Sequence, residues 1–135
     1  MNRQPLDTET RRQQLKETAE KYFRALQTKQ FDGIPYTENA SLRAPFTPGG
    51  VAVPLEGKNN IYEKWWVLLE PALEEVTITI LGHYFHEDLS GIISEAEIKL
   101  KAPAVTLRVA DRFTVNEEGK IIEQENHVDP RAVTG

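Results

Sequence analysis

Val105-Thr106-Leu107-Arg108-Val109-Ala110-Asp111-Arg112-Phe113-Thr114-Val115 is the stretch from which the rest of the chain is read. Apolar and polar residues alternate along it with period two, the pattern of a half-buried strand. Val105, Leu107, Val109, Phe113 and Val115 share one face, and Asp111 belongs to that same face. Thr106, Arg108, Arg112 and Thr114 occupy the other. One carboxyl group therefore sits in an otherwise apolar row. Burial disfavours its charged form, so it must be paired, protonated or functional. Two readings stay open: a bond to a neighbouring hydroxyl or backbone N–H, or a working acid.

The flanking sequence is also strand-like. Asn116-Glu117-Glu118-Gly119 reads as a hairpin loop, with Gly at the position that needs positive φ. Ile121 to Val128 is the last strand. Ile122 and Val128 set its phase, which places Gln124 and Asn126 inward and Glu123, Glu125, His127 and Asp129 outward. Upstream, Ile92 to Lys101 alternates, with Ser94, Ala96, Ile98 and Leu100 on one face, until Pro103 breaks the run. Asp88-Leu89-Ser90-Gly91 is a turn, and Val76 to Ile80 is a further strand. Strands joined by such short connections pair antiparallel. Glu95, Glu97, Lys99, Arg108, Arg112, Glu123 and Glu125 then meet on the outer face as cross-strand ion pairs, a solvated surface or a polar dimer face.

The first half of the chain is different. Asp7 or Thr8 caps a helix that runs to about Lys29, with Leu15, Ala19, Tyr22 and Leu26 on one stripe and Phe23 beside it. Phe31 to Tyr36 is a turn, broken by Gly33 and Pro35. Asn39 to Pro45 reads as a short strand with Ala40, Leu42 and Ala44 on one side. Residues 46–57 are a loop with a small hairpin at Val51–Val53. Lys58 to Glu70 is a second helix, with Ile61, Trp65, Leu68 and Leu69 as its apolar stripe, ended by Pro71. Trp66 falls one position off that stripe and is expected half exposed or at a subunit contact. Residues 1–7 are a lead-in and 130–135 a tail. Helices grouped before strands predict an α+β fold, with the helices packed on one face of a curved, mostly antiparallel sheet. Such a sheet curls into a cone whose open end suits an apolar pocket.

Composition narrows the function. With 135 residues the chain is expected to form one domain, 1–135. Sixteen Lys and Arg against 21 Asp and Glu give a net charge of −5, which argues against nucleic acid as a partner. With no cysteine there is no disulfide, thiol nucleophile or thiolate metal site. No apolar run approaches the roughly 20 residues of a membrane helix, and Met1 to Pro5 has no signal-peptide core behind it. A cytoplasmic protein is therefore expected, with no membrane partner. His83 and His86 point to opposite faces of a strand, so no metal site is expected. His127 with Asp129 is an alternative acid/base pair at the sheet end.

Several segments carry a resemblance when taken in order. They are Lys21-Tyr22-Phe23-Arg24-Ala25-Leu26, Phe31-Asp32-Gly33-Ile34, Glu38-Asn39-Ala40-Ser41-Leu42-Arg43-Ala44-Pro45, Ala110-Asp111-Arg112-Phe113, Gly119-Lys120-Ile121-Ile122 and Val128-Asp129-Pro130-Arg131. Over about residues 10–130 the chain resembles the superfamily of nuclear transport factor 2, ketosteroid isomerase and the SnoaL-like polyketide cyclases. That resemblance implies a cystatin-like, cone-shaped α+β roll. In ketosteroid isomerases a helix tyrosine and a neutral aspartic acid donate hydrogen bonds to the enolate oxygen, and a second aspartate moves the proton. By motif the donors fall on Tyr22 and Asp111, and the base falls on Ala44. Alanine cannot abstract a proton, so standard steroid isomerisation is not expected.

The resemblance implies a cofactor-free isomerase, cyclase or dehydratase-like enzyme acting on a small apolar, carbonyl-bearing molecule. Tyr22 and Asp111 are its candidate catalytic residues, and Asn126, Trp65, Gln124 and Ala44 line the ligand. It also implies a homodimer through the outer sheet face. The alternative is a non-catalytic ligand-binding or protein-interaction module of the same fold.

Overall fold

Helix α1 spans Thr8–Thr28, and the Asp7 side chain caps it by accepting from the Thr10 N–H at 2.8 Å. Its buried stripe is Leu15, Thr18, Ala19, Tyr22, Phe23, Ala25 and Leu26, the spacing that one helical face requires. The computed structural model describes residues 7–101 and 104–128. The lead-in before Asp7, Pro103, Asp129 and the 130–135 tail lie outside them.

Six strands follow: β1 Tyr36–Arg43, β2 Leu55–Glu56, β3 Thr77–Phe85, β4 Gly91–Leu100, β5 Val105–Val115 and β6 Ile121–Val128. They form one sheet in the order β2-β1-β6-β5-β4-β3. Every pairing is antiparallel except β1 with β6, which is parallel. The sheet is curved and unclosed around α1, the α+β roll expected from the sequence. Strand β5 runs through its middle and carries Leu107, Val109, Asp111, Phe113 and Val115 into the interior, as the alternation requires. Gly119 takes φ +81° in the β5–β6 turn, the conformation predicted for it.

Four local expectations need correction. Strand β1 begins at Tyr36, not Asn39, because Tyr36 already pairs with Ile121 of β6. Val51–Val53 forms no hairpin. Gly50–Ala52 is a 3₁₀ turn, and it is Leu55–Glu56 that pairs with β1. Strand β3 continues past Ile80 to Phe85 through a bulge near Gly82. The second helical segment is not regular: α2 Lys58–Ile61 leads into a π turn, Tyr62–Trp66, and then α3 Val67–Leu69. The wider turn changes which side chains face the core. Trp65 and Trp66 are both buried, while Leu68, expected inside, is 67% exposed. The Trp66 indole N–H donates to Glu70 at 3.0 Å, so the ring is buried with its polar edge satisfied. Among the described residues no helix is long and apolar enough to cross a membrane.

On the outer face the ion pairs form as the alternation predicts. Arg112 lies 3.3 Å from Glu123 and 3.0 Å from Glu125, and Arg108 is 3.8 Å from Glu97. The helix is held to the sheet by polar clips at its start. The Arg11 guanidinium donates to the backbone carbonyls of Leu89, Asn116 and Val115 at 3.0, 2.8 and 2.8 Å. It thereby joins α1 to both the β3–β4 and β5–β6 turns. The Thr18 hydroxyl adds a bond to the Gly119 carbonyl at 2.8 Å. Hydrogen bonds from a charged donor contribute about 1.5–3 kcal/mol each when nothing replaces them, and water partly replaces these. Arg11→Ala is expected to cost about 2–3 kcal/mol in total, measured by urea unfolding. A loss below about 0.5 kcal/mol would mean that the clips contribute nothing.

Candidate active site

Asp111 is 2% exposed, and its Oδ1 is buried without a hydrogen-bond partner. Desolvation pushes its carboxyl from an ordinary 3.8 up to about 8, so it is predominantly protonated at neutral pH. The registers of three strand pairs place it in a row across the sheet. Ser94 on β4 is its partner on one side and Asn126 on β6 its partner on the other. His83 of β3 stands opposite Ser94, with Nδ1 2.7 Å from the serine hydroxyl. Burial pulls the His83 imidazole below its ordinary value. Glu20 opposes that shift and Lys16 adds to it.

Tyr22 comes up from α1 beneath this row. It is 2% exposed, and its hydroxyl is pushed well above 10. Desolvation is the main cause, followed by the nearby Asp111 and Tyr36. Hydrogen bonding from the Gln124 and Asn126 side chains works the other way. The Tyr22 ring stacks on Trp65 at 6.3 Å and meets Phe113 edge-on at 5.1 Å. Gln124 is fully buried, and its amide nitrogen donates to the Asn126 side-chain oxygen at 2.6 Å. Ala44 is buried at the end of β1. Arg43 pairs with Glu125, so the next residue, Ala44, faces the Asn126 end of the row. Tyr22, Asp111, Gln124, Trp65 and Ala44 are thus buried, and Asn126 is half-buried beside them.

Gln124 and Asn126 turn inward for a reason other than the predicted one. Ile122 does not set the phase, since it is 41% exposed and Ile121 is buried. A register shift in the β5–β6 ladder, from Val115 opposite Ile121 to Thr114 opposite Glu123, leaves Ile122 as the extra residue of a bulge. The bulge restores the phase that brings Gln124 inside. His127 points outward, as expected, toward Glu125 at 3.6 Å. Its proposed partner Asp129 lies outside the described residues. Among the described residues no group of three or more His, Asp or Glu side chains could hold a metal.

Three polar residues of this cluster, the buried Tyr36 and Ser94 and the half-buried His83, were not read from the sequence as part of the site. Tyr36 is 5% exposed and donates its hydroxyl hydrogen to Gln124 Oε1. Burial, then the nearby Asp111, pushes its pKa well above 10. The signal was present, because Tyr36 has the same parity as Ala40, Leu42 and Ala44. Ser94 was on the predicted inner face, but its alignment with Asp111 needs the register. His83 was read from the sequence only as a strand histidine without a metal, and its place beside Ser94 needs the β3–β4 register.

Asp111, Tyr22, Gln124, Ser94 and Tyr36 are buried, while Asn126 and His83 are half-buried. One surface concavity of about 310 Å³, lined by residues including Leu81, Arg108, Ala110 and His127, opens on the sheet. Another of about 330 Å³ lies between α1 and β3. Neither of these two is lined by Tyr22 or Asp111.

A family model described as a SnoaL-like domain matches residues 19–124. The chain belongs to the SnoaL-like domain family. Solved structures share its fold. An epoxide hydrolase/cyclase-like enzyme with a role in pyran ring formation in the polyether salinomycin superposes with a TM-score of 0.70 at 22% identity, covering 93% of this chain and 95% of that one. A steroid delta-isomerase from Pseudomonas aeruginosa gives 0.62 at 16% identity, over 87% and 80% of the two chains. A Mycobacterium tuberculosis protein in complex with estradiol-17β-hemisuccinate gives 0.67 at 12% identity, over 88% and 96%. No curated protein matches the sequence. The superfamily read from the sequence motifs is thus the right one, and the SnoaL-like fold includes cyclases, isomerases and ligand binders.

The buried carboxyl of this SnoaL-like domain has a measurable signature. Unfolded, Asp111 loses its proton near 3.8; folded, near 8. Between those values the folded state keeps a proton that the unfolded chain releases, so rising pH favours unfolding. The contribution of this group to stability is therefore full below about pH 4 and lost progressively up to about pH 8. Asp111→Asn keeps the shape and cannot ionise. Its melting temperature relative to wild type is expected to rise from pH 4.5 to pH 8, by about 5 °C or more at the upper end. Parallel profiles for the two proteins would show that Asp111 is not a desolvated acid.

Proposed function

We propose that this SnoaL-like protein binds a small, apolar, carbonyl-bearing molecule and acts on it by acid/base chemistry without a cofactor. The reaction is an isomerisation, cyclisation or dehydration. The observation that carries the reading is the unpartnered, buried Oδ1 of Asp111 beside the Tyr22 hydroxyl. An orphaned buried polar atom is costly unless a ligand satisfies it. At neutral pH both groups are protonated, so both are donors. Two donors converging in a dry site stabilise negative charge developing on a carbonyl oxygen. Trp65, Phe113 and Ala44 supply apolar walls. With Ala44 at the end of β1, no carboxylate there takes a proton from carbon. The reaction is accordingly not the standard ketosteroid isomerisation; Asp111 serves as a donor acid while protonated and as a base only where it is ionised, toward and above about pH 8.

The folds that the chain resembles support this. Among them are a cyclase-like enzyme and a steroid delta-isomerase, and another neighbour was solved with a steroid ester. The same reading carries a homodimer through the outer face, where Tyr84 and Ile93 are exposed. Sedimentation at micromolar concentration is expected to give the dimer mass, and a monomer would refute that surface.

The site itself is tested with 2-naphthol and cyclic ketones, read by quenching of Trp65, whose indole stacks on Tyr22. Tyr22→Phe and Asp111→Leu each remove one donor and are expected to weaken 2-naphthol binding about tenfold, or about 1.4 kcal/mol. Wild-type affinity in both variants, or no binding by the wild type, would overturn the reading in favour of a protein-interaction module.

A further inference from the structure

His83 reaches the inner face of the sheet because β3 is irregular. Ile78 and Ile80 pack against the core and pair with Ile98 and Ala96. The next pair is Gly82 with Glu95, so Leu81 is the extra residue of a bulge. Unbroken alternation from Ile78 and Ile80 would put Gly82 and Tyr84 inside and His83 outside. With the bulge, Tyr84 is exposed and His83 stands opposite Ser94. Ser94 is fully buried, and its hydroxyl lies 2.7 Å from His83 Nδ1. The same serine is the direct partner of Asp111 on β5. Side chains paired in this way have Cβ atoms about 4.5–5.5 Å apart. A hydroxyl within hydrogen-bond reach of an imidazole is the pairing of a nucleophile with its base. Burial favours the neutral ring, which can accept a proton. Glu20 of α1 favours the protonated ring, and Lys16 of α1 opposes it.

We propose that Ser94 and His83 form a nucleophile–base dyad with which this protein hydrolyses a small, apolar carboxylic ester. The inference rests on the ligand site proposed above and adds a second activity to it, with Tyr22 and Asp111 as the donors to the oxyanion. The Ser94 Oγ forms a bond to the ester carbonyl carbon, and its proton passes to His83 Nδ1. The carbonyl π pair moves onto the oxygen, which the Tyr22 and Asp111 hydroxyls face. The pair then returns, the bond to the leaving alcohol oxygen breaks, and that oxygen takes the proton from His83. Water repeats the sequence on the acyl-serine. Its oxygen bonds to the acyl carbon, its proton passes to His83, and Ser94 leaves with that proton. Ester and water become acid and alcohol, and the dyad is restored. The bulge at Leu81 has a use in this reading, because it aims the base at the nucleophile.

The test follows 2-naphthol release from 2-naphthyl acetate and uses diisopropyl fluorophosphate as a covalent mark. In the marking step the Ser94 oxygen bonds to phosphorus, fluoride leaves and the proton passes to His83. The wild type is expected to hydrolyse the ester and to carry the phosphoryl group on Ser94, located by peptide mass spectrometry. Ser94→Ala is expected to lose both reactions, and His83→Gln to slow both about a hundredfold. Each variant is expected to bind 2-naphthol as the wild type does, which separates a lost dyad from a collapsed site. If Ser94→Ala does not fold, the position of the mark on the wild type decides alone. Unchanged turnover in the folded variants, or a mark on another residue, overturns the dyad. A wild type that binds 2-naphthol but neither turns over the ester nor takes the mark also overturns it, and the proposed function survives. A wild type with no binding and no turnover removes both.

Discussion

The constraint on which this molecule turns is the removal of the Asp111 carboxyl from water. A carboxyl on the inner face of a central strand, flanked by Val109 and Phe113, has no cation and no cluster of N–H donors to hold its charge. It stays neutral instead, with its pKa raised to about 8. Everything placed near it is consistent with a neutral acid. Tyr22 and Tyr36 are uncharged phenols, Gln124 and Asn126 are amides, and Ser94 is a hydroxyl. The ion pairs of the sheet are kept on the opposite face, where Arg112 meets Glu123 and Glu125. The two faces of β5 thus divide its charges, formal charge outside and hydrogen-bonding groups inside.

That interior needs a helix held at a fixed height above the sheet, because Tyr22 reaches Asp111 from α1. The apolar stripe of α1 supplies the attraction but little directional control. Direction comes from Arg11, Gln14 and Thr18, which donate to carbonyls in the turns at one end of the sheet. These clips lie between one and three helical turns before Tyr22. They set the rotation and register of the helix without entering the site.

Two irregularities shape the site walls. The bulge at Ile122 sets the inward phase of Gln124 and Asn126. The π turn at Tyr62–Trp66 lets adjacent tryptophans both face the core, so that Trp65 stacks on Tyr22 while Trp66 packs near Phe31 at 5.5 Å. Each irregularity departs from ideal periodicity, and each lies where a side chain must be aimed at the cluster.

Local pattern and amino-acid type by themselves determined the α+β order, the α1 stripe, the antiparallel run of β3 to β6 and the inward position of Asp111. Each of these follows from period 3.6 or period 2 within one segment, where burial of apolar side chains leaves little choice. The family motifs added Tyr22 and the vacancy of the base at Ala44. Tertiary structure alone decided what those residues meet. The parallel β1–β6 pairing brings Tyr36 to Gln124, the strand registers align His83, Ser94, Asp111 and Asn126, and the π turn turns Trp66 inward. Periodicity tells which face a side chain occupies. It carries no information on how far one strand slides along another, nor on where a helix gains a residue in one turn. Those are settled by packing between segments distant in the chain.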